Sequence, residues 1–296
     1  MIYHVSTDWV QVHSKPDPSR EYWIATVPHG HELRLIKEGE PWMHIATYFQ
    51  QEYLNGFVLK DSILKGRTLK TVERIDLLAK PFVCWNDLSD ERKKIYGSPP
   101  ITSQEAPRRS HLTTHTKLQG IHAIHEFLDV ESSSRYQINN SITYCHTYVC
   151  DFIDLAGGYL PRVWWTKDAI KKLRDGENLE LSDPNNVDVL GARGLYNWLY
   201  HWGSHYEWRQ TFDADKAQLA ANNGQLSLIA ARRESDDAAG HICMIIPENN
   251  KRKAIRKNGR VIIPAMSHAG IRNRSFFTSQ WWIAKTFRFF GFWISP

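Results

Sequence analysis

Between Asn139 and Gly158 the chain changes character twice, and this stretch constrains the fold more than any other. Small polar residues, Asn139, Asn140, Ser141 and Thr143, lead into an apolar-periodic run containing Tyr148, Val149, Phe152 and Leu155, and Gly157-Gly158 stops it. The pattern predicts a helix with Cys145 in its first turn. The first N–H groups of a helix have no partner inside it, and the aligned peptide dipoles place partial positive charge there. A thiol at that point is expected to be pushed toward thiolate. Such a cysteine can be a nucleophile; the same position also suits a small buried hydrophobe.

Composition narrows the choice by exclusion. A chain of 296 residues, 42% hydrophobic and 23% charged, can bury one large core or a core plus a small module. The net charge of +5 comes from scattered basic residues, which suits attraction to an anionic polymer but lacks the clustered footprint of a nucleic-acid binder. Twelve each of Trp, Tyr and Phe fit carbohydrate or peptide grooves and equally fit ordinary core packing. Cys84, Cys145, Cys150 and Cys243 are too unevenly spaced for a disulfide framework or a zinc knuckle, so a free catalytic thiol stays open. The start, MIYHVSTDWVQVH, lacks the basic flank and apolar core of a signal peptide, and no apolar run reaches the roughly 18 residues of a membrane span. The expectation is a protein made soluble in the cytoplasm, with no transmembrane segment. A substrate outside would be reached after release or non-classical delivery.

Residues 1–65 predict a small all-β domain. Short strands are expected at Trp9–His13, Tyr22–Val27, Glu32–Lys37, Met43–Thr47 and Gly56–Leu59, with KPDPS, PHG and EGEP as turns. Residues 66–110 predict a linker wrapping the next domain, with a helix near Val72–Leu78 and the loop GSPPITSQEAPRRS. Residues 111–296 predict a second domain: helices at Ile121–Leu128 and Lys216–Ala221, helical spacing through Gly191–Trp208, and strands at Leu226–Ala231, His241–Ile246 and Arg260–Met266. A helix followed by antiparallel strands makes this an α+β layer. The aromatic segment SFFTSQWWIAKTFRFFGFW is expected in core or interdomain packing, with a groove wall or a membrane-surface contact as the alternative.

Histidine pairs invite a metal reading: His111 and His115, His122 and His125, His201 and His205. Spacing of four puts two imidazoles on one helix face, but HLTTH and HWGSH lack the Glu that makes HExxH a zinc hydrolase. No metal and no cofactor are expected. His241 opens the strand AGHICMIIP, where alternation puts it on one face with Cys243 and Ile245. A thiol and an imidazole need only meet in space to work together.

VQVHSKPDPS, TVPHGHELRLIKEGEPWMHI and GFVLKDSIL resemble the pattern of bacterial SH3-like domains, with Trp42 as the buried Trp and Gly56, Phe57 and Val58 in the closing strand. The resemblance implies a small barrel that targets peptide or glycan; a packing module without a ligand remains open. YCHTYVCDFIDLAG and GHICMII, with RYQINNS before them, resemble the NlpC-type papain-like peptidoglycan hydrolases over roughly residues 115–275. That resemblance implies a papain-like cysteine amidase or endopeptidase acting on peptidoglycan stem peptides or muropeptides. It implies Cys145 as nucleophile, His241 as general base and His268 as the orienting third residue, with Ser267 and Asn273 in reserve. It also implies an oxyanion donor in the Cys145 N–H, helped by the Tyr136 hydroxyl. The family commonly has Asp directly before the nucleophile, where this chain has Tyr144, which leaves the bond cut open. Two other classes fit the same frame: a non-catalytic cell-wall or protein-binding adaptor, and a papain-like acyltransferase or deamidase toxin acting on a protein.

Overall fold

The computed structural model describes residues 2–6, 9–28, 31–49, 52–65, 78–110, 112–139, 141–233 and 238–296. They form two compact units, Met1–Leu78 with Arg209–Asp213, and Ala79–Trp208 with Ala214–Pro296. The fold is mixed α+β, with one all-β unit.

The first unit is antiparallel throughout. Its strands are β1 (Ile2–Val5), β2 (Trp9–His13), β3 (Trp23–Pro28), β4 (Glu32–Lys37), β5 (Trp42–Phe49), β6 (Glu52–Leu59) and β7 (Ile63–Lys65). They run in the order β3-β2-β6-β5-β4-β1-β7, and the ladder is open, so no closed barrel is formed among the described residues. Alternation builds the core: Val10 and Val12 of β2, Leu33 of β4, Met43 and Ile45 of β5 and Val58 of β6 all turn inward and are almost wholly buried. Each such side chain contributes roughly 1.5–3 kcal/mol over an exposed one. Gly56 sits where β6 meets β2, and a Cβ there would lie 2.5 Å from the His13 carbonyl oxygen, so only glycine permits this approach. Trp42, expected to be buried, is half-buried, with its ring edge-on to His13 at 4.8 Å between centroids.

The second unit is a layer of helices on a sheet. It contains α1 (Asp90–Tyr96), α2 (Thr114–Leu128), α3 (Cys145–Leu155), β8 (Val163–Trp165), α4 (Lys167–Arg174), β9 (Val187–Val189) and α5 (Ala192–His201). After β10 (Arg209–Thr211), which belongs to the first unit, come α6 (Ala214–Asn222), β11 (Leu226–Arg232), β12 (His241–Ile245), β13 (Ile255–Lys257), β14 (Arg260–Ile263), β15 (Met266–His268), β16 (Arg274–Phe277) and β17 (Phe289–Ser295). Neighbouring strands follow the order β17-β11-β12-β15-β16. The expected strand Arg260–Met266 is two: β14 pairs with β13 in a separate hairpin, and β15 joins β12. The aromatic C-terminal segment supplies β17, whose seven residues are all buried against β11. No helix among the described residues is long and apolar enough to cross a membrane.

The helix around Cys145 is buried nearly all round, with Asp154 its one exposed residue. One side packs on β12 and β15. Elsewhere the helix meets α2 and α5 and bonds to residues 79–110, which the sequence reads as linker and which belong to the second unit. His146 Nε2 donates to the Ile95 carbonyl at 2.5 Å, and the Thr147 hydroxyl donates to the Tyr96 carbonyl at 3.2 Å. The helix expected near Val72–Leu78 falls almost entirely outside the described residues. Arg109, buried, donates to the carbonyls of Ala156 and Gly224 at 2.9 Å each and to the Pro296 oxygen at 2.8 Å. It thereby ties the C-terminal ends of α3, α6 and β17, where helix carbonyls lack internal partners.

Candidate active site

Cys145 is the first residue of α3. Tyr144 is the N-cap, with no side-chain cap bond, and the Thr143 hydroxyl bonds the Cys145 thiol. The thiol also faces the backbone N–H groups of Ile242, of His146 and of Cys145 itself. These donors favour thiolate, as the helix-terminus argument expects. Burial wins, however: the residue is 1% exposed, and loss of water pushes the thiol up to about 11. The expectation of a resting thiolate is therefore corrected, because a helix N-terminus lowers a thiol only where the charge keeps some solvation.

His241 begins β12 and His268 ends β15. Met244 pairs with Ser267 and Ile245 with Met266, and continuing that antiparallel register places His268 across from Cys243, diagonal to His241. The two rings meet, with His241 Nε2 at 2.7 Å from His268 Nδ1. Both are half-buried. Burial, with His268 second, holds His241 down to about 3, and burial, with the Arg274 charge second, holds His268 down to about 4, so both are neutral at pH 7. Trp281 stands edge-on to His241 at 4.7 Å and Phe277 stacks on His268 at 4.3 Å. No hydrogen bond joins His241 to Cys145 among the described residues.

The other sequence candidates are committed elsewhere. The Ser267 and Tyr148 hydroxyls are 2.7 Å apart in the core. Asn273 donates to the Tyr136 carbonyl at 3.1 Å and accepts from the Gly270 N–H at 3.0 Å. Of the three polar residues considered as orienting group, His268 is the one that bonds His241. The Tyr136 hydroxyl, expected to help an oxyanion, is buried and donates to Asp151 at 2.9 Å, so it is not free to do so. Tyr144 is buried beside His146.

Asp151 is the residue that sequence reasoning missed. Its buried carboxylate accepts from Arg135 Nε at 2.6 Å and Arg135 Nη2 at 2.9 Å, from Tyr136, and from Arg162. Arg135 and Arg162 also donate to the carbonyls of Pro99 and Ser98, at 2.5 and 3.2 Å. One carboxylate thus clamps the segment before α3 and the loop after it onto the helix. Its position at the end of the second turn of an apolar-periodic run was the available signal, since a charge there must be paired.

Among the described residues, no histidine of these pairs belongs to a cluster of ligand atoms close enough to hold a metal ion. His125 Nε2 donates to the Ser275 carbonyl at 2.8 Å while Nδ1 accepts from Arg252 at 2.7 Å, which uses both nitrogens. His111 lies outside the described residues. A different group could hold a cation: His241, Cys243 and His268 offer ligand atoms all within 4.8 Å of one another.

The chain matches no family model, no curated protein and no solved structure.

Proposed function

We propose that the second unit is a cysteine hydrolase of the NlpC-type papain-like class, an amidase or endopeptidase cutting amide bonds in peptidoglycan stem peptides. The first unit would be an SH3-like module that holds it on the wall polymer. The observation that carries the reading is the 2.7 Å contact between His241 Nε2 and His268 Nδ1 on strands packed against the helix that Cys145 begins. With His268 Nδ1 accepting from His241 Nε2–H, the lone pair on His241 Nδ1 is left bare, as a general base requires.

In this mechanism His241 takes the Cys145 proton as Sγ attacks the amide carbonyl carbon, and the Cys145 N–H meets the developing oxyanion. The C–N bond then breaks as His241 returns the proton to the leaving amine. Water, deprotonated by the same imidazole, hydrolyses the thioester. Because the thiol is raised and the imidazole lowered, the pair rests neutral and proton transfer accompanies attack. The test is digestion of purified muropeptides followed by mass analysis. Cleavage by the wild type and none by Cys145→Ala supports the reading, and intact muropeptides with both would end it.

The 1% exposure of Cys145 favours a second reading, a non-catalytic wall-binding adaptor on the same frame. Sacculus binding without product in the same digest would select it.

A further inference from the structure

We propose that His241, Cys243 and His268 form a binding site for one borderline-soft divalent cation of the zinc class. Ligand type argues for this class: two neutral imidazoles and one thiolate are the donors such ions prefer over carboxylate-seeking calcium or magnesium. Geometry argues that the site is nearly assembled. The three donor atoms lie within 4.8 Å of one another, and the two histidine nitrogens are 2.7 Å apart. A tetrahedral ion with metal–nitrogen distances of about 2.0–2.1 Å and metal–sulfur of about 2.3 Å needs donors roughly 3.3–3.6 Å apart. The rings must therefore part by about 0.6 Å and the thiol close in by up to about 1.2 Å. Shifts of that size are side-chain adjustments on two paired strands.

Burial supplies the third argument. Cys243 is wholly buried in the core, where a lone thiolate would be costly, but a dication beside it cancels that charge. The two histidines are half-buried, which leaves the ion a way in.

The ion enters between His241 Nε2 and His268 Nδ1 in place of their shared proton, and His241 keeps that proton on Nδ1. Cys243 gives its proton to the buffer and forms the metal–sulfur bond. Three protein ligands leave a fourth position open. With Nδ1 protonated, His241 can no longer accept the Cys145 proton. Inhibition of hydrolysis by the ion is a consequence that rests on the hydrolase reading, whereas the site itself does not.

The experiment uses the full chain and needs no substrate. Zn²⁺ titrated by equilibrium dialysis should bind one per chain with release of protons to the buffer, and Co²⁺ should give a near-ultraviolet thiolate-to-cobalt charge-transfer band. Cys243→Ser should lose the band and weaken Zn²⁺ binding by at least about 100-fold, beyond the 10–100-fold typical of removing an outer-shell partner. His268→Gln should weaken it at least about 10-fold. It carries the test alone if Cys243→Ser fails to fold by circular dichroism. Absence of saturable one-to-one binding overturns the proposal, as does a folded variant that binds as tightly as the wild type. If metal-free wild type leaves muropeptides uncut, the hydrolase reading fails while these binding results stand.

Discussion

His241 Nε2 and His268 Nδ1 lie 2.7 Å apart across adjacent strands, so one proton serves two rings that burial keeps neutral. With His241 Nε2–H as the donor, the bond leaves Nδ1 of His241 bare. Under the proposed mechanism His241→Ala should lower kcat by roughly 10²–10⁴, the span of a lost general base. His268→Ala should lower kcat with KM unchanged, because the orienting ring touches no substrate. His268→Asn, whose amide oxygen can still accept, should recover much of the loss. Equal kcat in wild type and His268→Ala would remove the orienting role.

The Cys145 thiol, pushed up to about 11 by burial, should react slowly with iodoacetamide at pH 7. Cys84, the one exposed cysteine, should label first. Labelling of Cys145 should accelerate as pH rises toward 11, with no plateau near neutrality. Mass mapping of a brief pulse at several pH values measures this. Preferential alkylation of Cys145 below pH 7 would mean the helix N-terminus outweighs burial after all.

What the sequence disclosed follows from periodicity. The run through Tyr148, Phe152 and Leu155 announced α3 with its first residue in place, and alternation put Cys243 on the face of His241. Strands β2 and β4 were legible to the residue for the same reason. Elements with little apolar content were not. Helix α4 buries only Ala169, and its start was signalled by Thr166, whose hydroxyl accepts from the Ala169 N–H at 3.1 Å. Helix α2 begins at Thr114, seven residues before the expected start, because a reciprocal Thr113–Thr116 capping box, and not an apolar residue, opens it. The direction of the Cys145 shift was illegible, since it depends on how completely residues far apart in the chain exclude water. Asp151 drew no expectation from the sequence, and only the fold reveals that Arg135 and Arg162 meet on it.

That carboxylate yields a stability prediction. Asp151→Asn keeps the volume but leaves two largely buried guanidinium groups without their counter-charge, and breaking a buried pair by removing one partner costs roughly 3–5 kcal/mol. A urea midpoint that falls with an unchanged m-value is the expected result. A loss under about 1 kcal/mol, the worth of a surface pair, would show that water reaches both arginines.

Acid should weaken the second unit earlier than its carboxylates would. Burial is the largest cause holding His125, His146 and His268 down to about 4 and His241 to about 3. An unfolded chain takes these protons near the ordinary value of about 6.5, so below that pH the unfolded state binds protons that the folded state refuses. Stability is complete above about 6.5 and falls as pH drops toward 4, each such histidine contributing at most about 1.4 kcal/mol per pH unit. Glu248 acts in a separate window. Its carboxylate, held down to about 2 by the bidentate Arg256 first, with Asn222 and the Ala254 N–H adding to it, contributes stability that starts to be lost only below the ordinary carboxylate value of 4.5. Loss between pH 6.5 and 4.5 is therefore histidine-driven. Urea midpoints measured across that interval should decline steadily. His146→Gln, which retains a donor for the Ile95 carbonyl and cannot titrate, should reduce the slope. A midpoint that stays level down to pH 5 would mean that these rings take up protons in the folded state near the ordinary value.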